Sequence, residues 1–217
     1  VRDWHSLPDD KIDYCIHDED LKKKIKIGYS KFWGMEKYFD TNLMEKEVAK
    51  KIDDTISFLS KKGLQIENTE FIDWPYNPHQ IFIVMWQAGA ANLARKIKEN
   101  DFYNMDSGLL DFIEKGKGYS IYDLMDADAK RAENAAYMKR VFSKFDALIG
   151  PTLPVLPFNS DDNIPNGFNE DQLFSWLPFT YPFNLTKNPA CNLNVNFSKS
   201  GLPIGMQIVA NVYNDKK

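Results

Sequence analysis

Residues 198–201 bring together the side chains best suited to nucleophilic chemistry, since they read Ser-Lys-Ser-Gly. A serine hydroxyl can attack a carbonyl carbon when a neighbouring base, such as a lysine amine, takes its proton. Consecutive side chains of an extended or turn segment point in different directions, however, so these three cannot converge on one carbonyl. We therefore interpret this segment as a solvated turn, and the chain contains no Gly-x-Ser-x-Gly motif that could replace it.

The histidines do not predict a metal site. They lie far apart in the sequence, and none is four residues from another, the spacing that would place two ligands on one helix face. Residues 17–20 read His-Asp-Glu-Asp, but such a cluster is more typical of a solvated helix start. The three histidines are His5, His17 and His79. We predict that the chain holds neither a metal ion nor another cofactor.

The two cysteines, Cys15 and Cys191, are too far apart in sequence to form a redox or metal-binding motif. Cys191 falls in a strand that we predict to be buried, where a cysteine acts as a small hydrophobic residue more often than as a nucleophile. A cysteine content this low favours a reducing, cytoplasmic environment.

The composition is that of a globular protein. Of the 217 residues, 43% are hydrophobic and 27% are charged, and the net charge is -4. This charge, with lysines spread along the chain, gives no reason to expect binding to nucleic acid or to an anionic membrane. No apolar run reaches the roughly 18 residues that a membrane helix needs. We find no linker between domains and treat residues 1–217 as one unit.

Hydrophobic periodicity predicts a strand–helix–strand unit in the first third of the chain. Residues 25–29 alternate as a short strand, and residues 45–62 carry an apolar stripe at helical spacing. Gly63 follows, where a helix end favours a residue with positive φ. Residues 64–67 are expected to form the next strand. A unit of this kind indicates a parallel or mixed sheet.

Three further helices are expected before the next strand. One covers residues 81–97, and a short one starts at residue 106 or 107 and ends at residue 114. Ser120 and the acidic residue three positions later form a capping box that begins a long helix through residue 145. We predict that its buried stripe consists of Ile121, Met125, Ala129, Ala132, Ala135, Met138, Phe142 and Phe145.

The C-terminal segment predicts the rest of the sheet. Residues 147–149 are apolar and short, as in a buried strand, and residues 179–186 are expected to form a loop. Residues 192–196 alternate polar and apolar, which predicts a strand with one buried face. Residues 206–210 are mostly apolar, which suits a strand buried on both faces. The sequence therefore predicts an α/β fold: a mixed β-sheet flanked by helices.

Several segments resemble the amidase signature family. Residues 182–186 read Pro-Phe-Asn-Leu-Thr, residues 189–190 read Pro-Ala, and residues 201–209 read Gly-Leu-Pro-Ile-Gly-Met-Gln-Ile-Val. Residues 146–154 resemble the family's strand that ends in Pro-Thr-x-Pro, and residues 2–4 resemble a short Asp-rich segment after its catalytic half. The resemblance covers most of the chain, but Lys187 stands where the family commonly has glycine.

The resemblance implies hydrolysis of a carboxylic amide through a serine acyl-enzyme. The family uses a serine nucleophile, a second serine and a lysine base, all in segments upstream of the region that resembles residues 1–8. We therefore expect no catalytic residue in this chain, which would be the C-terminal portion of an amidase domain, truncated at both ends and inactive alone. Its missing N-terminal half would be its main partner, and a homodimer stays open.

Two alternatives accompany this interpretation. One is the amidase-like subunit of a tRNA-dependent amidotransferase, although residues 181–186 look closer to those of free-standing amidases. The other is a non-catalytic binding or scaffold protein with the same fold. Coding sequence that continues upstream into a Gly/Ser-rich segment would exclude the scaffold alternative.

An aromatic cluster is where this chain would contact a small amide substrate. The resemblance implies that loops of the C-terminal half line the substrate funnel, and apolar walls with a few polar groups suit such a ligand. The candidates are Trp176, Tyr181 and Asn184, with Trp74 and Trp86 behind them. The alternative is that these aromatic residues belong to the core. Similarly, Lys187 could meet an anionic substrate or could be an ordinary surface lysine.

Overall fold

A mixed five-stranded sheet runs through the part of the chain that the structure describes. The structure is a computed structural model, and it describes residues 8, 11–15, 17, 24–69, 72–168 and 174–216. The strand order is β2-β1-β3-β5-β4. The strands are β1 (Lys26–Tyr29), β2 (Gln65–Asn68), β3 (Ala147–Pro151), β4 (Ala190–Phe197) and β5 (Pro203–Ala210). The predicted α/β class is confirmed.

The strand–helix–strand unit forms as predicted. The connecting helix α1 covers Lys46–Lys61, and β1 pairs in parallel with both β2 and β3. Val48 and Ile52 of α1 are buried against the sheet because they lie on one face of the helix. Gly63 has a φ of 94° just after the helix, a conformation that glycine adopts without steric cost.

The C-terminal hairpin completes the sheet. β5 lies between β3 and β4 and pairs with both in antiparallel fashion, and it is largely buried as predicted. β4 is an edge strand, and the prediction of a buried face is wrong for most of it, since Leu193 is 50% exposed. Cys191 is exposed as well, which corrects its expected core position. Alternation predicts which residues share a face of a strand but not whether anything covers that face.

Three longer helices separate β2 from β3: α2 (Pro78–Ala94), α3 (Ser107–Lys117) and α4 (Ile121–Val141). α2 begins one turn earlier than predicted, because Asn77 caps it and Pro78 is acceptable in the first turn. The capping box of α4 at Ser120 is present as predicted.

The predicted buried stripe of α4 is correct only in its C-terminal half. Met138 and Phe142 are buried, whereas Ile121 is 63% and Met125 64% exposed. The first turns of α4 instead bury Ala127. The helical period identifies a face, but the neighbouring elements decide how much of that face they cover.

Residues 179–186 do not form a simple loop. They include the short helix α5, which covers Tyr181–Thr186 and has a proline in its first turn. α5 ends at Lys187, whose φ of 59° and ψ of 30° are left-handed. This conformation explains why glycine would fit the position.

Candidate functional site

A cleft of about 760 Å³ lies beside α2 and α3 and is the best candidate for a ligand site. α2 contributes one side of it, α3 a second, and residues 161–168 of the Asn- and Asp-rich loop a third. Its side-chain lining includes His79, Ile83, Gln87, Asp111, Phe112, Lys115 and Phe174. A volume of this size lies in the range of small-molecule sites in proteins, about 300–1,000 Å³.

One wall of the cleft is aromatic. The rings of Phe112 and Phe174 are 5.6 Å apart in an edge-to-face arrangement, and both pack on Trp86, at 5.6 and 4.6 Å respectively. Such pairs position one another because the ring quadrupoles favour edge-to-face contact. The wall is therefore suited to a flat, apolar part of a ligand.

One face of α2 contributes two polar side chains to the cleft. His79, Ile83 and Gln87 are spaced four residues apart, so a single helix face presents them. Gln87 is buried, and its side-chain oxygen accepts a hydrogen bond from the Tyr119 hydroxyl at 2.9 Å. The four-residue spacing of His79, Ile83 and Gln87 could have shown from the sequence that His79 shares a helix face with another polar residue. The sequence analysis treated His79 as isolated because it compared it only with the other histidines.

The charged side chains of the cleft come from α3 and from the loop. Lys115 and Asp111 of α3 form an i, i+4 ion pair, with 2.7 Å between the ammonium nitrogen and a carboxylate oxygen. Exposed pairs of this type contribute little to stability. The pair leaves no net charge from α3, so the charge of the lining comes from the loop carboxylates Asp161 and Asp162, which disfavour an anionic ligand.

His79 is held in its neutral form. Its ring centroid is 5.7 Å from that of Tyr181, and burial lowers the pKa of His79 below its usual value near 6.5. Burial also raises the pKa of Tyr181 well above its ordinary value, so both rings stay uncharged near neutral pH. A neutral imidazole can both donate and accept a hydrogen bond.

This burial predicts a pH effect on stability. The unfolded chain protonates His79 below pH 6.5 or so, while the folded protein resists protonation. We expect the contribution of His79 to the free energy of unfolding to be constant above this pH and to fall as the pH drops through it. Denaturant titrations between pH 5 and 8 should show a smaller fall for His79→Gln. The exposed His17→Gln variant is the control, and an equal fall in all three proteins would contradict the assignment.

A buried asparagine of α4 fixes the loop that leads into α2. The Asn134 side chain accepts a hydrogen bond from the Tyr76 backbone N–H at 3.1 Å and donates one to the Tyr76 carbonyl at 3.0 Å. Asn77 then caps α2 by accepting from the His79 N–H at 2.9 Å. The position of His79 at the cleft therefore depends on this contact between α4 and the loop.

The three candidate substrate-binding residues lie in different surroundings. Tyr181 is buried and stacks on Phe82, with 4.7 Å between the ring centroids, behind the wall that carries His79. Trp176 is half-buried and packs edge-to-face against Phe158 at 5.1 Å. Asn184 is exposed and lines a second, smaller pocket. Their role in binding substrate stays a proposal.

Trp74 and Trp86, the two tryptophans expected behind these candidates, also differ in burial. Trp74 is a core residue, and its indole N–H donates to the Trp33 carbonyl at 2.7 Å. Trp86 is partly exposed and belongs to the aromatic wall through its contact with Phe174. Of the two tryptophans, Trp86 therefore lies next to the cleft and Trp74 does not, and a role for either in binding substrate stays a proposal.

Residues 198–201 form the turn between β4 and β5 as predicted, but Ser198 is buried and not solvated. The two serine hydroxyl oxygens, of Ser198 and Ser200, are 2.8 Å apart, and that of Ser198 also accepts from the Leu202 N–H at 3.0 Å. Among the described residues, no group of three His, Cys, Asp or Glu side chains could hold a metal ion. The acidic cluster at residues 18–20 lies outside the described part of the chain. In the ranges given above, no helix combines the length and apolarity that crossing a bilayer would require.

Comparison with known proteins identifies the family. A family model described as Amidase matches residues 2–217. The chain belongs to the amidase family. This amidase-family chain is 27% identical to a glutamyl-tRNA(Gln) amidotransferase subunit of Dehalococcoides mccartyi, over 99% of its own length and 47% of that protein. It is 26% identical to an acylamidase of Rhodococcus erythropolis, over 72% of its length and 34% of that protein.

The fold comparison agrees with the family. The structure of a bacterial aryl acylamidase of the amidase signature family superposes with a TM-score of 0.72 at 21% identity, over 89% of this chain and 41% of that chain. The likeness confirms the amidase-signature fold. The chain spans about half the length of the curated relatives that it matches.

Proposed function

We propose that this chain forms the C-terminal part of an amidase that hydrolyses a carboxylic amide to an acid and an amine or ammonia. The serine nucleophile, the second serine and the lysine base would lie in a preceding segment. The described residues would supply part of the central sheet and one wall of the substrate funnel. The observation that carries the proposal is the aromatic cleft between α2 and α3, in a chain that belongs to the amidase family.

The lining of the cleft favours an amide with an aromatic or other flat apolar group. Phe112 and Phe174 offer apolar surface, while Gln87 and the neutral His79 offer hydrogen bonds. An uncharged substrate loses little solvation in such a site, whereas an anionic one would be repelled by the loop carboxylates Asp161 and Asp162. Tyr181 would support this wall through its ring contacts with His79 and Phe82. Trp176 and Asn184 lie outside the lining of the cleft, so they would have to contact a part of the substrate that extends beyond it.

Truncation of the aromatic wall tests this assignment in the complete protein. We expect Phe112→Ala to raise the KM for an aryl amide about tenfold and to change kcat less, because it removes apolar contact without touching the reacting groups. Phe58→Ala is the matched control, since Phe58 is an exposed phenylalanine on α1. Trp176→Ala tests, in the same assay, whether Trp176 contacts the substrate outside the cleft. An unchanged KM for Phe112→Ala, with the fold intact, would exclude the cleft as the substrate site.

A second candidate function is supported by the relatives. Proteins that match at 26–27% identity over 99% of the chain are named as glutamyl-tRNA(Gln) amidotransferase subunits. In that case the complete protein would act as one subunit of an amidotransferase. Amide hydrolysis that depends on charged tRNA and on a second protein would favour this alternative, and activity of the complete protein by itself would favour the amidase.

A further inference from the structure

The cleft beside α2 and α3 has room for more than a flat apolar ring. Its volume of about 760 Å³ lies in the upper half of the range for small-molecule sites, about 300–1,000 Å³. The groups that line the cleft therefore decide which substituents a substrate can carry in addition to its ring. Three of its features favour the same class of ligand: the side-chain amide of Gln87, the carboxylates of the loop and the aromatic wall.

The Gln87 side chain presents an unused hydrogen-bond donor to the cleft. Gln87 is only 7% exposed, and its side-chain oxygen accepts from the Tyr119 hydroxyl. Its side-chain nitrogen has no acceptor among the described residues, yet it is not sealed from solvent, so it opens on the cleft that Gln87 lines. A buried donor without a partner costs free energy, and the carbonyl oxygen of a ligand would remove that cost.

The backbone at Gln87 is held in place by close packing of two helices. A Cβ atom added to Gly116 of α3 would overlap the Gln87 carbonyl oxygen, so only glycine allows α3 to approach α2 this closely. The donor is therefore positioned before a ligand enters, which reduces the cost of ordering it on binding.

The loop gives the cleft two carboxylates without a cationic partner. Asp161 and Asp162 both line the cleft with exposed side chains, and within the described ranges neither forms an ion pair. The Lys115–Asp111 pair of α3 adds no net charge. In the part of the chain that the structure describes, no group of three His, Cys, Asp or Glu side chains could hold a metal ion. Two carboxylates beside an apolar wall suit an organic cation instead.

We propose that the cleft binds an aryl amide that carries a cationic amine. The ring would lie against Phe112 and Phe174, whose aromatic faces also attract a cation. The amine would face Asp161 and Asp162, and a carbonyl oxygen would accept from the Gln87 amide. This inference rests on the proposed function for the statement that the ligand is the substrate, and it adds the charge of that substrate.

Calorimetric titration of the complete protein with benzylammonium and with benzyl alcohol tests the charge preference. The two probes have nearly the same shape, and only the first is a cation. We expect benzylammonium to bind about fivefold more tightly, and we expect added salt to reduce the difference, because exposed charges are screened. Equal affinities at low salt, or no binding of either probe, would overturn the proposal.

The double variant Asp161→Asn with Asp162→Asn tests whether the preference comes from the loop. It keeps the backbone hydrogen bonds of both residues to Asn159. We expect it to bind the two probes equally, with the affinity for benzyl alcohol unchanged. Asp101→Asn with Asp215→Asn removes the same charge at exposed positions outside the lining and should keep the preference. Retention of the preference in the loop variant, its loss in the control, or an equal loss of both probes would contradict the proposal.

An activity assay separates this inference from the proposed function. The complete protein would be assayed with para-(aminomethyl)acetanilide, which is a cation, and with para-(hydroxymethyl)acetanilide, which is neutral. A lower KM for the cationic amide that is lost in the loop variant would support both. Hydrolysis of both amides with equal KM would refute the charge preference and leave the proposed function standing. Selective binding of benzylammonium without hydrolysis of either amide would refute the proposed function alone.

Discussion

Replacing Trp33 by alanine is expected to lower the free energy of unfolding by about 3–5 kcal/mol, the usual cost of removing a large core aromatic side chain. Trp33 is fully buried, and its indole N–H donates to the Pro151 carbonyl at 2.9 Å. Its ring also meets Phe183 edge-to-face at 4.9 Å, which connects β3 to α5.

Gly150 of β3 makes room for the Trp33 indole. A Cβ atom at this position would lie 2.7 Å from an indole carbon and 2.3 Å from the Ser30 carbonyl oxygen. The space left by Trp33→Ala is therefore bounded by strand backbone, which cannot move inward without breaking sheet hydrogen bonds. Since a cavity that cannot collapse costs more, we expect the loss to lie toward the upper part of the range.

Urea unfolding followed by circular dichroism measures this effect. Trp33→Phe should cost less than Trp33→Ala, because it keeps most of the ring contact and loses the donor to Pro151. Phe58→Ala, an exposed aromatic residue of α1, should change the free energy of unfolding by less than about 1 kcal/mol. If Trp33→Ala and Phe58→Ala were equally stable, the position of Trp33 at the centre of the core would be wrong.

The second large effect is expected at Asn134, which is 1% exposed. Asn134→Leu leaves the backbone N–H and carbonyl of Tyr76 without their partners. A buried polar group that loses its partner costs about 1–3 kcal/mol, so we expect a total of about 2–4 kcal/mol. Leucine has a similar volume, so the lost hydrogen bonds should account for most of the change in the free energy of unfolding.

One control variant and one further substitution at the same position accompany Asn134→Leu. Asn92→Leu changes an exposed asparagine on α2 in the same way and should stay within about 0.5 kcal/mol of the original protein. Asn134→Asp keeps the acceptor for the Tyr76 N–H and loses the donor to its carbonyl, and it adds a buried charge, so it should also be destabilised. A neutral effect of Asn134→Leu would show that water or another group satisfies the loop.

The Asn134 variants also test how the cleft is positioned. Because the loop that Asn134 fixes leads directly into the first turn of α2, its release should displace His79. In the complete protein we expect Asn134→Leu to raise KM for an aryl amide, while the exposed Asn92→Leu leaves it unchanged. A loss of stability without any change in KM would limit Asn134 to a structural role.

The sequence by itself determined the elements that depend on short-range signals. The apolar stripe of residues 45–62 and Gly63 predicted α1 and its end, and Ser120 predicted the start of α4. The polar turn at residues 198–201 predicted the hairpin of β4 and β5. Each of these signals acts within about one helical turn or one reverse turn, so neighbouring residues contain all the information needed. The family resemblance also lay in contiguous segments.

Only the tertiary structure decided which residues share a site. Trp176, Tyr181 and Asn184 are neighbours in the sequence, yet they face Phe158, Phe82 and the smaller pocket between α2, α4 and α5 respectively. His79 was treated as isolated, yet the fold brings it to one cleft with residues of α3 and of the loop at 161–168. The physical reason is that burial and the lining of a cleft depend on contacts between residues far apart in the chain. Helical or strand periodicity fixes the direction of a side chain but not what lies in front of it.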